Sequence, residues 1–122
     1  MARNQDTGKQ GEALAKRYLE KKGYLILETN WRYRRAEIDI IAKDDEILVF
    51  VEVKTRSSAA FGQPEAFLNA RQESLIIAAA AAYMEEKDYE GEIRFDVISI
   101  LLRSPKDYQL KYFPDAFFPG LE

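Results

Sequence analysis

Glu37 and Asp39 stand in one run of largely apolar residues, Ala36-Glu37-Ile38-Asp39-Ile40-Ile41-Ala42, and Glu52 and Lys54 in the next, Phe50-Val51-Glu52-Val53-Lys54-Thr55-Arg56. Carboxylate oxygens are the ligands that hard cations take, and Mg²⁺ is usually held by one or two protein carboxylates, with water and substrate phosphate completing its shell. A lysine beside such a pair can orient or deprotonate an attacking water and offset charge developing on phosphorus oxygens. The residue types therefore point to a divalent-ion site whose missing ligands come from a phosphodiester, and to hydrolysis by activated water.

The two runs read as the arms of a β-hairpin, with Asp44-Asp45 supplying turn chemistry. Pairing Lys43 with Glu46 predicts Asp39 opposite Phe50 and Glu37 opposite Glu52. The strand period of two then places Glu37, Asp39 and Ile41 on one face with Leu48, Phe50, Glu52 and Lys54, and Ile38, Ile40, Val49, Val51 and Val53 on the other. Asp39 and Glu52 become diagonal neighbours with Cβ atoms at most about 7 to 8 Å apart, close enough to enclose one cation. Two acids face to face repel, and a divalent ion turns that repulsion into attraction. A solvated hairpin face also carries Glu and Lys, and a surface pair there is worth little. Against that plainer account, Ile47 to Val53 is apolar on both faces, as a central strand is, and charges there are costly unless paired or metal-bound.

Around the hairpin, residues near Thr7 to Lys21 show an amphipathic helical stripe of Gly11, Leu14, Ala15, Tyr18 and Leu19, stopped by Gly23. Glu12 sits at the edge of that stripe, where an i,i+4 pair with Lys16 is the simplest role for it. Tyr24 to Asn30 is expected to be a strand, followed by hairpin arms over Arg35 to Lys43 and Glu46 to Thr55. Pro64 to Glu86 reads as a second helix, apolar almost all round and so buried or shared with a partner. Glu92 to Leu102 and Tyr108 to Phe113 are two further strands. The order α-β-β-β-α-β-β implies an α/β sandwich of three layers with a mixed sheet, the second helix making the crossover.

Asn30-Trp31-Arg32-Tyr33-Arg34-Arg35 interleaves aromatics with cations, as a surface for phosphates and unstacked bases does, or as an ordinary solvated connection does. The small polar stretch Arg56 to Gly62 is either a substrate-gating loop or a plain one. Arg71 and Gln72 face the acids or a solvated helix edge. The aromatic end, Phe113 to Gly120, is a tail docked over the core or a dimer contact.

With 122 residues the chain suffices for one core, and it is expected to form a single domain, 1–122. It has no cysteine and no histidine, which excludes disulfides, thiolate zinc sites and the commonest neutral-pH base. No signal-like start or membrane-length apolar run is present, so a cytoplasmic protein is expected. The net charge of −3 argues against a nucleic-acid partner, but it is unevenly spread. Residues 1–60 carry 12 Lys and Arg against 10 Asp and Glu, a balance of +2, whereas residues 61–122 carry 6 against 11, a balance of −5.

An acid on one strand followed by Glu-x-Lys at the end of the next resembles the signature of the PD-(D/E)xK nucleases, the restriction endonuclease-like superfamily. Within it the chain most resembles the YraN family of uncharacterised proteins, which is similar to archaeal Holliday junction resolvases. The resemblance rests on Gly8-Lys9-Gln10-Gly11-Glu12, Gly23-Tyr24, Asn30-Trp31-Arg32, Glu37-Ile38-Asp39, Phe50 to Arg56, Phe61-Gly62-Gln63-Pro64, Arg94-Phe95-Asp96-Val97 and Ala116-Phe117. It implies a restriction endonuclease-like fold, with Asp39 and Glu52 as metal-binding acids and Lys54 as the catalytic lysine. It further implies that Glu12 approaches the metal or its water and that the backbone carbonyl of Val53 is a ligand. The implied cofactor is Mg²⁺ or Mn²⁺ and the implied partner DNA, branched or junction DNA included. Arg32, Arg34, Arg35 and Arg56 are the candidate nucleic-acid contacts, Glu37 a candidate for a second ion or the outer shell, and a homodimer a candidate assembly. Ala36, Arg71, Tyr112 and Ile38 depart from the pattern, replacing a usual Gly, a common Lys, a frequent nearby His and the proline of the superfamily's name; none is a metal acid. The competing class is a noncatalytic nucleic-acid or protein-binding module that keeps the fold, and a third is a structural subunit assembled through the alanine-rich helix.

Overall fold

The computed structural model describes residues 2–57 and 68–117, with side chains from Thr7 onward. Helix α1 spans Ala2–Lys21, β1 Leu25–Tyr33, β2 Ala36–Asp44, β3 Ile47–Arg56, α2 Ala70–Glu86, β4 Ile93–Ser104 and β5 Asp107–Phe117. The strands form one sheet in the order β1-β2-β3-β4-β5, antiparallel throughout except for the parallel β3–β4 pair that α2 connects. The expected element order and mixed sheet are thus observed.

Strand β3 is central, and its alternation builds a core on each face. Val49, Val51 and Val53 pack with Ile98, Ile100, Ala15 and Leu19 beneath α1. Leu48 and Phe50 pack with Phe95, Ile76, Ala79, Ala80 and Tyr83 beneath α2. One helix on each face of the sheet makes the three layers. The stripe expected of α1 is the one that packs: Gly11, Ala15 and Leu19 are buried. Gly11 is required there, because a Cβ would lie 1.8 Å from Thr55 Oγ1 and 2.8 Å from Thr55 Cβ. Its absence lets α1 press onto the end of β3, which brings the next residue, Glu12, toward the hairpin.

The hairpin register differs from expectation. Asp44 pairs with Ile47 and Ile41 with Phe50, so the turn is Asp45-Glu46 rather than Asp44-Asp45. Asp45 adopts a φ of 58°, a left-handed conformation that Asp tolerates better than most residues. By that count Asp39 stands opposite Glu52, not Phe50, and Glu37 is no longer opposite Glu52. The faces also slip. Ile38 packs with Ile41, Leu48 and Phe50 on the α2 side, while Ile40 lies with Val49 and Val51 on the α1 side. The β2–β3 ladder ends at Ile40↔Val51, and the strict alternation fails at Asp39, between Ile38 and Ile40.

Other boundaries shift for local reasons. Helix α2 starts at Ala70, where Asn69 and Gln72 form a reciprocal capping box; the expected start at Pro64 lies outside the described residues, as does most of the loop to Gly62. Gln72 is therefore a cap, with its N–H donating to Asn69 Oδ1 at 2.8 Å and its Oε1 accepting from Asn69 N at 2.9 Å, and Arg71 is exposed. Strand β5 continues through Pro114 to Phe117, whose ring stacks on Phe95 at 4.9 Å between centroids. The aromatic tail thus begins as an edge strand, where a proline costs no ladder hydrogen bond; residues 118–120 lie outside the described residues. Strand β1 extends through Trp31 and Tyr33, so these aromatics serve the core, Trp31 meeting Tyr83 edge-to-face at 5.1 Å.

Candidate functional site

Where the β2–β3 ladder stops, the Asp39 side chain takes over. The N–H of Val53 donates to Asp39 Oδ2 at 2.8 Å, a buried bond that replaces a backbone acceptor with a carboxylate. Asp39 is 8% exposed, and burial is the main reason its pKa rises to about 6; the Val53 amide opposes the rise, and the charges of Glu12 and Glu37 add to it. Glu52, one residue before that amide, has a side chain only 16% exposed. Burial first, and the Asp39 charge second, push its pKa up to about 8, with Lys54 pulling the other way. Lys54 Nζ lies 3.8 Å from Glu52 Oε2, and Glu52 Oε1 is buried with no hydrogen-bond partner.

Two buried carboxylates, one with an orphaned oxygen, form a site that is costly while empty of positive charge. Two protein carboxylates are also the complement that Mg²⁺ usually takes. The carbonyl of Val53, between Glu52 and Lys54 in the chain, is a third hard oxygen on the same strand end. Among the described residues no three Asp or Glu side chains converge to enclose an ion by themselves. The donor set fits a hard divalent cation that keeps water or phosphate in its remaining positions, and does not fit an all-protein cage.

Glu12 is brought to the same place by a route invisible in the sequence. Asn30 Nδ2 donates to Glu12 Oε1 at 3.1 Å and to Glu37 Oε2 at 2.9 Å, tying α1 to β2 across β1. Both partners are carboxylates, so only the nitrogen end of the amide satisfies them. Asn30 has a φ of 52°, which Asn adopts more readily than most residues. Glu12 and Asp39 line one groove of roughly 300 Å³ that Lys9 and Lys16 also line. Glu37 ends on this α1 side, where Arg32 Nη2 stands 3.7 Å from its Oε1.

The candidate cations separate. Lys54 belongs to the acid pair and Arg32 to its rim. Arg34 and Arg35 instead line a groove of roughly 550 Å³ against Leu75, Ala78 and Ala81 of α2. Arg56 is half-buried at the end of β3.

A second polar cluster carried no assigned role in the sequence. Arg94 Nε and Nη2 donate to the two oxygens of Asp96 at 2.9 Å each, Nη1 donates to Asp44 at 3.0 Å, and Nη2 also reaches the hydroxyls of Tyr24 and Tyr112 at 3.0 and 3.1 Å. Asp96 is fully buried and also accepts from the Tyr112 hydroxyl and from the Asp115 N–H. Burial and the bond to Asp96 raise the Tyr112 pKa, and the bonds to Asp96 raise that of Arg94. Every group has its partner, so the cluster locks β4 to β2, β5 and Tyr24 rather than offering a free site.

Comparison with known proteins follows the same outline. The model of the "Uncharacterised protein family UPF0102" matches residues 11–100, a span that holds Glu12, Asn30, Asp39, Glu52 and Lys54. A UPF0102 protein of Flavobacterium psychrophilum is 48% identical over 118 residues, covering 97% of this chain and 98% of its own. UPF0102 proteins of Chlorobium phaeobacteroides and Clostridium botulinum are 46% and 40% identical, covering 90% and 93% of this chain and 91% and 95% of their own.

Proposed function

On the premise that the chain belongs to UPF0102, the YraN family, we propose that it is a metal-dependent nuclease of the restriction endonuclease-like type, hydrolysing phosphodiester bonds of DNA, branched DNA included. The observation that carries this reading is the buried pair Asp39 and Glu52, both with raised pKa, one with an unpartnered oxygen, beside Lys54. Asp39, Glu52 and the Val53 carbonyl would hold Mg²⁺ or Mn²⁺, and a bound ion of this kind supplies an activated water and neutralises charge on the phosphoryl oxygens.

The chain's own residues then have separable tasks. Asp39 is held in one orientation by the Val53 amide, so its other oxygen is presented without rotamer search. Lys54 Nζ stands 3.8 Å from Glu52 Oε2, and from there it can orient the attacking water or meet the charge that grows on phosphorus oxygens as the P–O ester bond breaks. Glu12 faces the groove beside Asp39 as a supporting acid.

A second reading, a binding module without catalysis, is favoured by the net charge of −3. One experiment separates the two: labelled single-stranded, duplex, flap and four-way-junction DNA incubated with Mg²⁺ or Mn²⁺, beside Lys54→Ala and Glu52→Gln. The nuclease reading expects cutting of at least one of them that both substitutions abolish. Binding without cutting by folded, metal-loaded protein supports the module.

A further inference from the structure

Lys9 and Lys16 are seven residues apart on α1, about 10.5 Å along its axis, and both line the groove that reaches Asp39. Glu12 stands between them, three residues after one and four before the other, the spacings at which helical ion pairs form. Neither pair is made. Glu12 Oε1 accepts from Asn30 instead, and among the described residues neither lysine has an acid partner within ion-pair distance. The Asn30 amide gives its second hydrogen to Glu37, so one side chain holds Glu12 and Glu37 together. Two exposed ammonium groups are left on one wall of a groove whose inner end is an acid of the candidate centre. Two small side chains, Ala13 on α1 and Thr29 on β1, also line the groove.

We propose that Lys9 and Lys16 form the binding track for the sugar-phosphate backbone of the nucleic-acid strand, on the α1 side of Asp39. The proposal rests on the nuclease reading and adds to it where the strand lies. It moves the principal phosphate contacts from Arg34 and Arg35, which open toward α2, to two lysines on the other side of the sheet. It also reconciles an acidic protein with an anionic substrate. The positive charge that matters is local; of the two acids lining the groove, Glu12 is held by Asn30 and Asp39 would be neutralised by a bound ion.

The test is anisotropy of labelled DNA and RNA oligonucleotides, single-stranded and duplex, with Ca²⁺ between 50 and 200 mM salt, with turnover in Mg²⁺ measured in parallel. The Lys9→Ala/Lys16→Ala protein is compared with wild type and with Lys21→Ala/Lys106→Ala, which removes the same charge elsewhere. Each lost phosphate contact lowers the slope of log K against log salt by roughly 0.7 for single strands and 0.9 for duplex, so the track variant should lose about 1.4 to 1.8. The gap in affinity between wild type and track variant should be widest at 50 mM and narrow roughly tenfold by 200 mM. Its KM should rise with kcat at saturation held, and the control variant should match wild type. An unchanged slope and KM in the track variant, or an equal loss in the control, overturns the track while the nuclease reading stands. Binding that depends on the two lysines in a protein that cuts nothing supports the track and defeats the nuclease reading. A folded wild type that binds no oligonucleotide overturns both.

Discussion

Replacing Glu52 with Gln should stabilise the metal-free protein at neutral pH, an uncommon result for removing a charged residue beside a lysine. Glu52 has its pKa displaced from an ordinary 4.5 to about 8, chiefly by burial. A carboxyl whose folded-state pKa is raised keeps its proton in the folded protein after the unfolded chain has lost it. Its stabilising contribution is therefore complete below about pH 4 and drains away as the pH climbs toward 8. At pH 7 the accumulated loss is on the order of 3 kcal/mol, and because the side chain is only 16% exposed, solvent screening removes little of it. Gln fills the same space without the charge, so Glu52→Gln should gain between about 1 and 3 kcal/mol at pH 7 in EDTA, seen as a melting temperature higher by roughly 5 to 10 °C. At pH 5 the difference should shrink below about 1 kcal/mol. Saturating Mg²⁺ at pH 8 should raise the wild type by RT ln(1 + [Mg²⁺]/Kd), about 2.7 kcal/mol at a hundredfold excess over Kd, and leave Glu52→Gln unmoved. Thermal melts over pH 5 to 8, with and without Mg²⁺, read all three. A variant less stable than wild type at pH 8 in EDTA, or a gap that does not widen from pH 5 to 8, refutes the burial argument.

Other consequences concern the frame. Asp96→Ala strands the Arg94 guanidinium among Tyr24, Asp44 and Tyr112, and should cost about 3 to 5 kcal/mol in urea unfolding with the m-value unchanged. Gly11→Ala drives a methyl into Thr55 and should cost about 1 to 3 kcal/mol, with Thr55→Ala in the same chain recovering part of it in the same assay. Asn69→Ala breaks the capping box and should cost about 1 kcal/mol.

Much of this frame is legible in the sequence because two periods carry it. The 3.6-residue stripe of α1 and the apolar run Ile47 to Val53 identify a helix and a central strand, and both pack as they read. Register is less legible. Asp44, Asp45 and Glu46 are all acceptable turn residues, and the choice depends on which of them takes the left-handed conformation. The slip at Asp39 cannot be read at all, since it comes from a side chain occupying the place of a ladder acceptor. The candidate site is visible in the sequence as Asp39, Glu52 and Lys54, but the means of assembling its rim are tertiary. Asn30 joins residues 12 and 37 through one amide, and the Arg94 cluster draws on positions from Tyr24 to Asp115. Glu12 and Lys16 illustrate the limit: their i,i+4 spacing suggests a pair, and Asn30 outcompetes it.

The most direct measurement is Mn²⁺ binding by the folded protein at pH 8, counted from the loss of the free-ion resonance in electron paramagnetic resonance, for wild type, Asp39→Asn and Glu52→Gln. The account predicts at least one ion bound per wild-type chain, released by either substitution and displaced by Mg²⁺. Folded wild type that binds no Mn²⁺, or binds it equally well without Asp39 and Glu52, contradicts it.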